Sequence, residues 1–139
     1  MTLDFITPAL LAANVQADVL NSTDRDALAA RISRRLSVDI GIPALWDRPS
    51  ASVGRQRDDG WEQIPAYVGN TTCLMFLDGA RTIWRFRGGA DLLRVLKECP
   101  PLEFYVCDEE ASYLLCSNHH DFVIGWGAAS AWVEALGDG

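Results

Sequence analysis

His119, His120 and Asp121 are the residues best equipped to do chemistry, since the only two histidines of the chain stand side by side next to a carboxylate. Two imidazoles and a carboxylate can bind zinc or move protons. Adjacent residues on an extended chain point to opposite sides, so the pair is poorly placed to chelate one metal. There is also no third histidine to complete a His-rich site. A turn in which Asn118, one histidine and Asp121 bond to neighbouring backbone is the simpler expectation. Cys116 with His119 has the residue types of a thiol nucleophile and its base, but a cysteine inside the apolar run Tyr113-Leu114-Leu115-Cys116 is expected to be buried and inert. Gly125-Trp126-Gly127-Ala128-Ala129-Ser130 echoes a dinucleotide fingerprint, yet Ser130 fills the third glycine position and the surroundings are acidic where a pyrophosphate would sit. A tight strand-to-helix turn explains it better. No catalytic residue, metal or cofactor is expected, and the chain is read as a non-enzyme.

Charge gives a second candidate. From Pro101 to Gly139 there are seven acids (Glu103, Asp108, Glu109, Glu110, Asp121, Glu134 and Asp138) and neither Lys nor Arg. The remaining 12 acids balance all 12 basic residues, so the net charge of −7 belongs to the last 39 positions. The tract Asp108-Glu109-Glu110, with Asp121 on a neighbouring turn, can present carboxylates to a basic partner. Trp61, beside Asp58 and Asp59, adds an aromatic anchor of the kind that dominates interfaces. The expected partner-binding residues are therefore Asp58, Asp59, Trp61, Asp108, Glu109, Glu110, His119, His120 and Asp121.

The elements that must position these residues follow from periodicity. Glu103 to Cys107 alternates, with Phe104 and Val106 on one face and Tyr105 and Cys107 on the other. After the break at 108–111, Tyr113 to Cys116 resumes, and Ser117 to Asp121 is a second break rich in turn formers. Phe122-Val123-Ile124 is a third strand. From Ala128 the period turns helical, with Ala129, Trp132, Val133 and Leu136 on one stripe and Gly137 at the C-cap. Upstream, helices are predicted over residues 8–20, from Ser22 or Thr23 (as cap) to about Leu36, and from about Ala90 to Glu98. Trp61 to Gly69 is predicted to open the sheet, with Pro65 at an edge or bulge. Thr72 to Leu77 and Thr82 to Arg87 flank the hairpin dipeptide Asp78-Gly79. Gly41, Pro43, Pro49 and Gly54 leave 38–60 as a long loop, anchored by Trp46. The sum is a single compact α+β domain over residues 1–139, with an antiparallel or mixed sheet of about five to six strands flanked by about four helices.

Composition sets the class. With 139 residues, 49% of them hydrophobic, the chain can bury a core without metal or disulfide support. Cys73, Cys99, Cys107 and Cys116 form no closely spaced pair and are expected as reduced thiols, consistent with a cytoplasmic location. The first twenty residues lack the basic region of a secretory signal, and no apolar run is long enough for a membrane span. A sequence pI near 4.6 argues against nucleic acid as a partner.

The segment Phe104-Tyr105-Val106, Tyr113 to Asp121, Ile124-Gly125-Trp126-Gly127 and Trp132 resembles a C-terminal pattern of small uncharacterised bacterial proteins. In size, acidity and α+β order the whole chain is similar to immunity proteins that neutralise toxins delivered between bacteria. That likeness implies a non-enzymatic binding protein whose acidic C-terminal third covers a basic active or substrate-binding surface of a cognate toxin protein. The alternative is a small metal-binding protein or enzyme centred on His119, His120 and Asp121.

Overall fold

The computed structural model describes residues 4–48 and 50–139, so Pro49, one of the expected loop breakers, lies outside the described residues. Along the chain the elements are α1 Ile6–Ala13, β1 Asp18–Val19, α2 Ser22–Leu36, β2 Ser52–Gln56, α3 Gly60–Val68, β3 Cys73–Phe76, β4 Ile83–Phe86, α4 Gly89–Lys97, β5 Phe104–Cys107, β6 Tyr113–Ser117, β7 Phe122–Gly127 and α5 Ser130–Leu136. A 3-10 turn, Leu45–Asp47, precedes β2. The strands form one seven-stranded sheet in the order β1-β4-β3-β5-β6-β7-β2, every pair antiparallel. The fold class is α+β as predicted, with one or two strands more than expected.

Both faces of this sheet are covered, which is why β3, β5 and β6 read as nearly unbroken apolar runs. One face carries Met75, Phe86, Phe104, Val106, Leu115 and Val123 against α1, α3, α4 and α5. The other carries Leu74, Phe76, Tyr105, Leu114, Cys116 and Trp126 against Leu28 and Ile32 of α2 and the segment Val38, Ile40 and Leu45. The alternation predicted for Glu103 to Cys107 and for Thr82 to Arg87 places the same residues on the same faces.

Three segments depart from the sequence reading. Trp61 to Gly69 is not a strand but helix α3, with Gly60, Ile64 and Val68 buried at every fourth position. Pro65 lies inside this helix, where it lacks an N–H for the Trp61 carbonyl. The helix is held by tertiary burial, with Ile64 and Pro65 both out of solvent. Second, the expected loop 38–60 contains β2, an edge strand of five residues paired along its whole length with β7. Ser-Val-Gly-Arg-Gln has little apolar alternation, so only its partner makes it a strand. Third, the helix expected over 8–20 ends at Ala13, where Asn14 takes a left-handed conformation (φ 54°). The chain then pairs Asp18 and Val19 with β4. In α2 the cap is Asn21, whose Oδ1 accepts from the Asp24 N–H at 2.8 Å, one residue before the predicted Ser22.

The outer edge of β2 is partly occupied by the C-terminal segment. The Gln56 N–H donates to Asp138 Oδ1 (3.0 Å), and the Gly139 N–H donates to the Gln56 carbonyl (2.9 Å). Such covering of an edge strand blunts it against stray pairing.

Helices α3 and α4 touch through backbone. The Gly89 N–H donates to the Gly69 carbonyl at 2.8 Å, and a Cβ built on Gly89 would lie 2.0 Å from the Pro65 carbonyl oxygen. Gly89→Ala is therefore expected to destabilise the fold by about 1–3 kcal/mol or more through overpacking. The neighbouring exposed Ala90→Ser should stay within about 0.5 kcal/mol of the parent. Urea unfolding of the two variants checks this contrast, and equal midpoints would show that α3 and α4 separate freely.

Candidate functional site

The nine candidate residues separate into two groups at opposite ends of the sheet. Asp108, Glu109 and Glu110 form the β5–β6 hairpin tip. Asp58, Trp61, His119 and Asp121 line a groove at the far end, where the β6–β7 turn meets the start of α3 and the α4–β5 connection. Asp59 and His120 stand beside that groove.

At the hairpin tip the carboxylates are largely committed. Asp108 Oδ1 accepts from the Ser112 N–H (2.7 Å), and its Oδ2 accepts from the Ser112 hydroxyl, so Asp108 builds the turn. Glu109 Oε1 pairs with Arg85 Nε at 2.6 Å, and the Glu109 carbonyl accepts from Arg31 Nη1. Arg31, Arg35 and Arg85 all line the cavity that Glu109 and Glu110 border. The charge that is unbalanced along the sequence is thus partly balanced in space, by arginines from α2 and β4. Glu110, which is exposed, accepts no hydrogen bond and joins no ion pair among the described residues.

The far end is built by a three-residue turn. The Asn118 N–H donates to the Phe122 carbonyl (3.1 Å), the Asp121 N–H to the Asn118 carbonyl (3.2 Å), and Asp121 is left-handed at φ 61°. Asn118, the one buried polar residue of this end, uses its Oδ1 to accept from the His120 and Phe122 N–H groups, both at 3.0 Å. The predicted turn is present, but of the side chains expected to bond its backbone only that of Asn118 does so among the described residues; His119 turns to the Glu103 carboxylate, and the Asp121 carboxylate accepts no hydrogen bond.

This turn also changes the relation of the two histidines. Their rings do not diverge as they would on an extended strand. Their centroids lie 4.0 Å apart, and both rings meet the indole of Trp46, at 5.5 Å for His119 and 5.2 Å for His120. His119 Nδ1 donates to Glu103 Oε1 at 2.9 Å. Trp46 is held in turn by its backbone N–H donating to the Tyr105 hydroxyl (3.2 Å), so it anchors the 38–47 segment as expected. Glu103 and Trp46 belong to this cluster without having been picked out as site residues. The only signal in the sequence is that Glu103 immediately precedes β5, whose first residue, Phe104, pairs with Ser117 at the end of β6. Among the described residues no group of three or more His, Cys, Asp or Glu side chains is placed to hold a metal ion.

Helix α3 brings its own side chains to the groove. A Cβ on Gly60 would lie 2.8 Å from Ser117 Oγ and from Val123 Cγ2, so only glycine lets the first turn of α3 sit directly on the ends of β6 and β7. That seat delivers Trp61, 38% exposed, to the groove wall. The Arg57 N–H donates to the Asp121 carbonyl at 2.7 Å, which sets Asp58 and Asp121 on adjacent backbone. Neither carboxylate accepts a hydrogen bond or joins an ion pair among the described residues. Asp59 differs. Arg57 Nε and Nη2 reach its two oxygens, each at 2.9 Å, and Gln63 Nε2 adds a third bond at 3.0 Å. Arg57 Nη1 continues to the Leu136 carbonyl, tying the start of α3 to the end of α5. The hydrogen bonds from Arg57 hold the Asp59 carboxyl far below the usual carboxylate range, against the opposing pull of burial.

The cysteines stand apart from this chemistry. All four are free, and Cys73, Cys107 and Cys116 are buried. Burial pushes the Cys73 thiol up to about 12 and raises those of Cys107 and Cys116 as well. Cys116 lies within the sheet among Tyr105, Leu114 and Ile124 and has no thiolate to offer His119. No helix of the described residues is long and apolar enough to cross a membrane. No protein-family model matches the chain, and no curated protein matches it.

A carboxyl whose folded-state pKa is depressed stabilises the fold above its unfolded value and loses that contribution as pH falls through the folded one. Asp59→Asn is therefore expected to be less stable than the parent near pH 7, by about 1–3 kcal/mol. The gap should narrow as pH drops below about 4. Urea unfolding from pH 7 to pH 3 measures the gap, and a gap independent of pH would remove the Arg57–Asp59 ion pair from the account.

Proposed function

We propose that this chain is a non-enzymatic binding protein, an immunity protein that neutralises a basic bacterial toxin in the cytoplasm by covering its active or substrate-binding surface. One observation carries the reading. The carboxylates that the fold needs are paired (Asp59, Asp108, Glu109 and Glu103), whereas Asp58 and Asp121 are exposed and unpaired beside an exposed Trp61. Charges that do no internal work, next to an aromatic anchor, are the make-up of a surface that recognises an oppositely charged partner.

The partner surface proposed here is therefore centred on the groove rather than on the 108–110 hairpin. Glu110 and the net charge of −7 contribute the long-range field that speeds encounter, and the groove supplies contact area. Asp108 and Glu109 support the hairpin.

A second reading draws on the paired rings of His119 and His120. With Nδ1 of His119 held by Glu103 and the side chain 62% exposed, the ring resembles a histidine oriented by a carboxylate for metal binding or proton transfer. Stoichiometric zinc or iron in the purified protein, lost on His119→Ala, would favour this reading over the first.

The test of the first reading is capture from the native host lysate at low and high salt. The expected result is one basic protein held at one-to-one stoichiometry, toxic when expressed alone and harmless when this chain is co-expressed. Asp58→Lys should slow its association at least tenfold at low salt and flatten the salt dependence, while Val19→Thr, exposed on β1 at the other edge of the sheet, leaves both unchanged. A captured protein whose toxicity persists in the presence of this chain would overturn the proposal.

A further inference from the structure

We propose that the groove binds one arginine side chain presented by the partner, an inference that rests on the binding-protein reading above. The groove is a cavity of about 550 Å³, large enough for a long side chain together with part of its neighbours. Trp61, Leu96, Leu102 and Phe104 give it apolar walls, and Asp58 and Asp121 stand at its polar side. This division suits an arginine and few other side chains. The methylene stem of arginine lies against apolar surface while its head group stays with polar atoms. The planar guanidinium stacks on an indole and offers its N–H groups as a fork to carboxylates. A plain hydrophobic ligand would leave both aspartates beside its surface without a counter-charge. An acidic ligand would meet two carboxylates that join no ion pair among the described residues.

Lys97, which also lines the groove, sharpens the argument. It is exposed and forms no ion pair with either aspartate among the described residues. If arginine is the ligand, Lys97 opposes it, and removing the ammonium improves binding. For an acidic ligand the sign reverses. The two carboxylates are also held apart from the internal ion pair, since Arg57 spends its guanidinium on Asp59 and on the Leu136 carbonyl.

The experiment follows the backbone and indole N–H signals of the intact protein by NMR at low salt. Titrants are N-acetyl-arginine amide, its uncharged isostere N-acetyl-citrulline amide, and the lysine and glutamate analogues. Arginine amide is expected to shift Trp61, Leu102 and Asp121 together and saturably, at least tenfold more tightly than citrulline amide and more tightly than lysine amide. Asp58→Asn with Asp121→Asn should abolish the difference between arginine and citrulline; asparagine is well suited to the left-handed conformation at 121, so the turn is kept. Lys97→Ala should tighten arginine binding severalfold. Citrulline or lysine binding as well as arginine overturns the proposal, as does glutamate amide binding that Lys97→Ala weakens. The two readings fail separately. Loss of capture by the wild-type chain removes the binding-protein reading, whereas capture that survives Asp58→Asn, Asp121→Asn and Trp61→Ala removes only the arginine site.

Discussion

The constraint on which this structure depends is that its sheet is buried on both faces. An antiparallel sheet commonly leaves one face in water and marks the fact by alternating apolar and polar residues. Here β3, β5 and β6 have no such spare face, because α1, α3, α4 and α5 cover one side and α2 with the 38–47 segment covers the other. Every side chain of Cys73–Phe76 and Phe104–Cys107 is therefore out of solvent. Polar chemistry is driven to the two ends of the strands and to the outer edges. Since β1 has only two residues and β2 is partly covered by Asp138 and Gly139, the ends carry most of what remains. Both charged clusters of the molecule lie there.

The two ends then differ in how their carboxylates are used. At the β5–β6 tip the sequence holds three consecutive acids, but the antiparallel order brings β4 and α2 alongside, and with them Arg85 and Arg31. At the other end the acids are dispersed over 58, 103 and 121, and nothing in the linear sequence suggests that they meet. The Arg57–Asp121 backbone bond and the glycine seat of α3 bring them together. A charge run is conspicuous in a sequence because its members are neighbours. Whether it is free for a partner depends on elements that are distant along the chain.

Much of the fold was legible in the sequence, for a reason that the particular residues show. Where an element buries a continuous stripe of its own, as Leu28 and Ile32 do in α2 or Val133 in α5 with Ala129 at its N-cap, local periodicity carries the information. Where an element owes its form to a neighbour, periodicity fails. β2 contributes Ser52, Gly54 and Gln56 and is a strand only because β7 pairs with it. α3 contains Pro65, which argues against a helix locally, and yet Ile64 and Val68 are buried against the sheet face that only a helix can reach at that spacing. At the site, Asp58, Trp61, His119 and Asp121 were chosen by residue type and the structure brings them to one groove. Glu103 and Trp46 were not, because each acts through a partner remote in sequence.

The histidine pair shows how far a local rule reaches. Adjacent side chains diverge on an extended chain, and that rule excludes shared chemistry for His119 and His120 only if the chain there is extended. Asn118 decides that it is not. Its buried Oδ1 accepts two backbone N–H groups of the turn, Asp121 takes the left-handed conformation that closes it, and both imidazoles swing to the side where Trp46 waits. An asparagine that looks like one more turn former thus fixes where the two histidine side chains of the protein sit. Trp46 then packs edge-on against both imidazoles, and His119 also lines the groove. The same turn that orients the imidazoles also holds Asp121 at the groove, so the placement of the aspartate and of the histidines is one structural decision. A substitution at Asn118 would disturb both together, which is why the histidines and the aspartate have to be separated by changes to their own side chains.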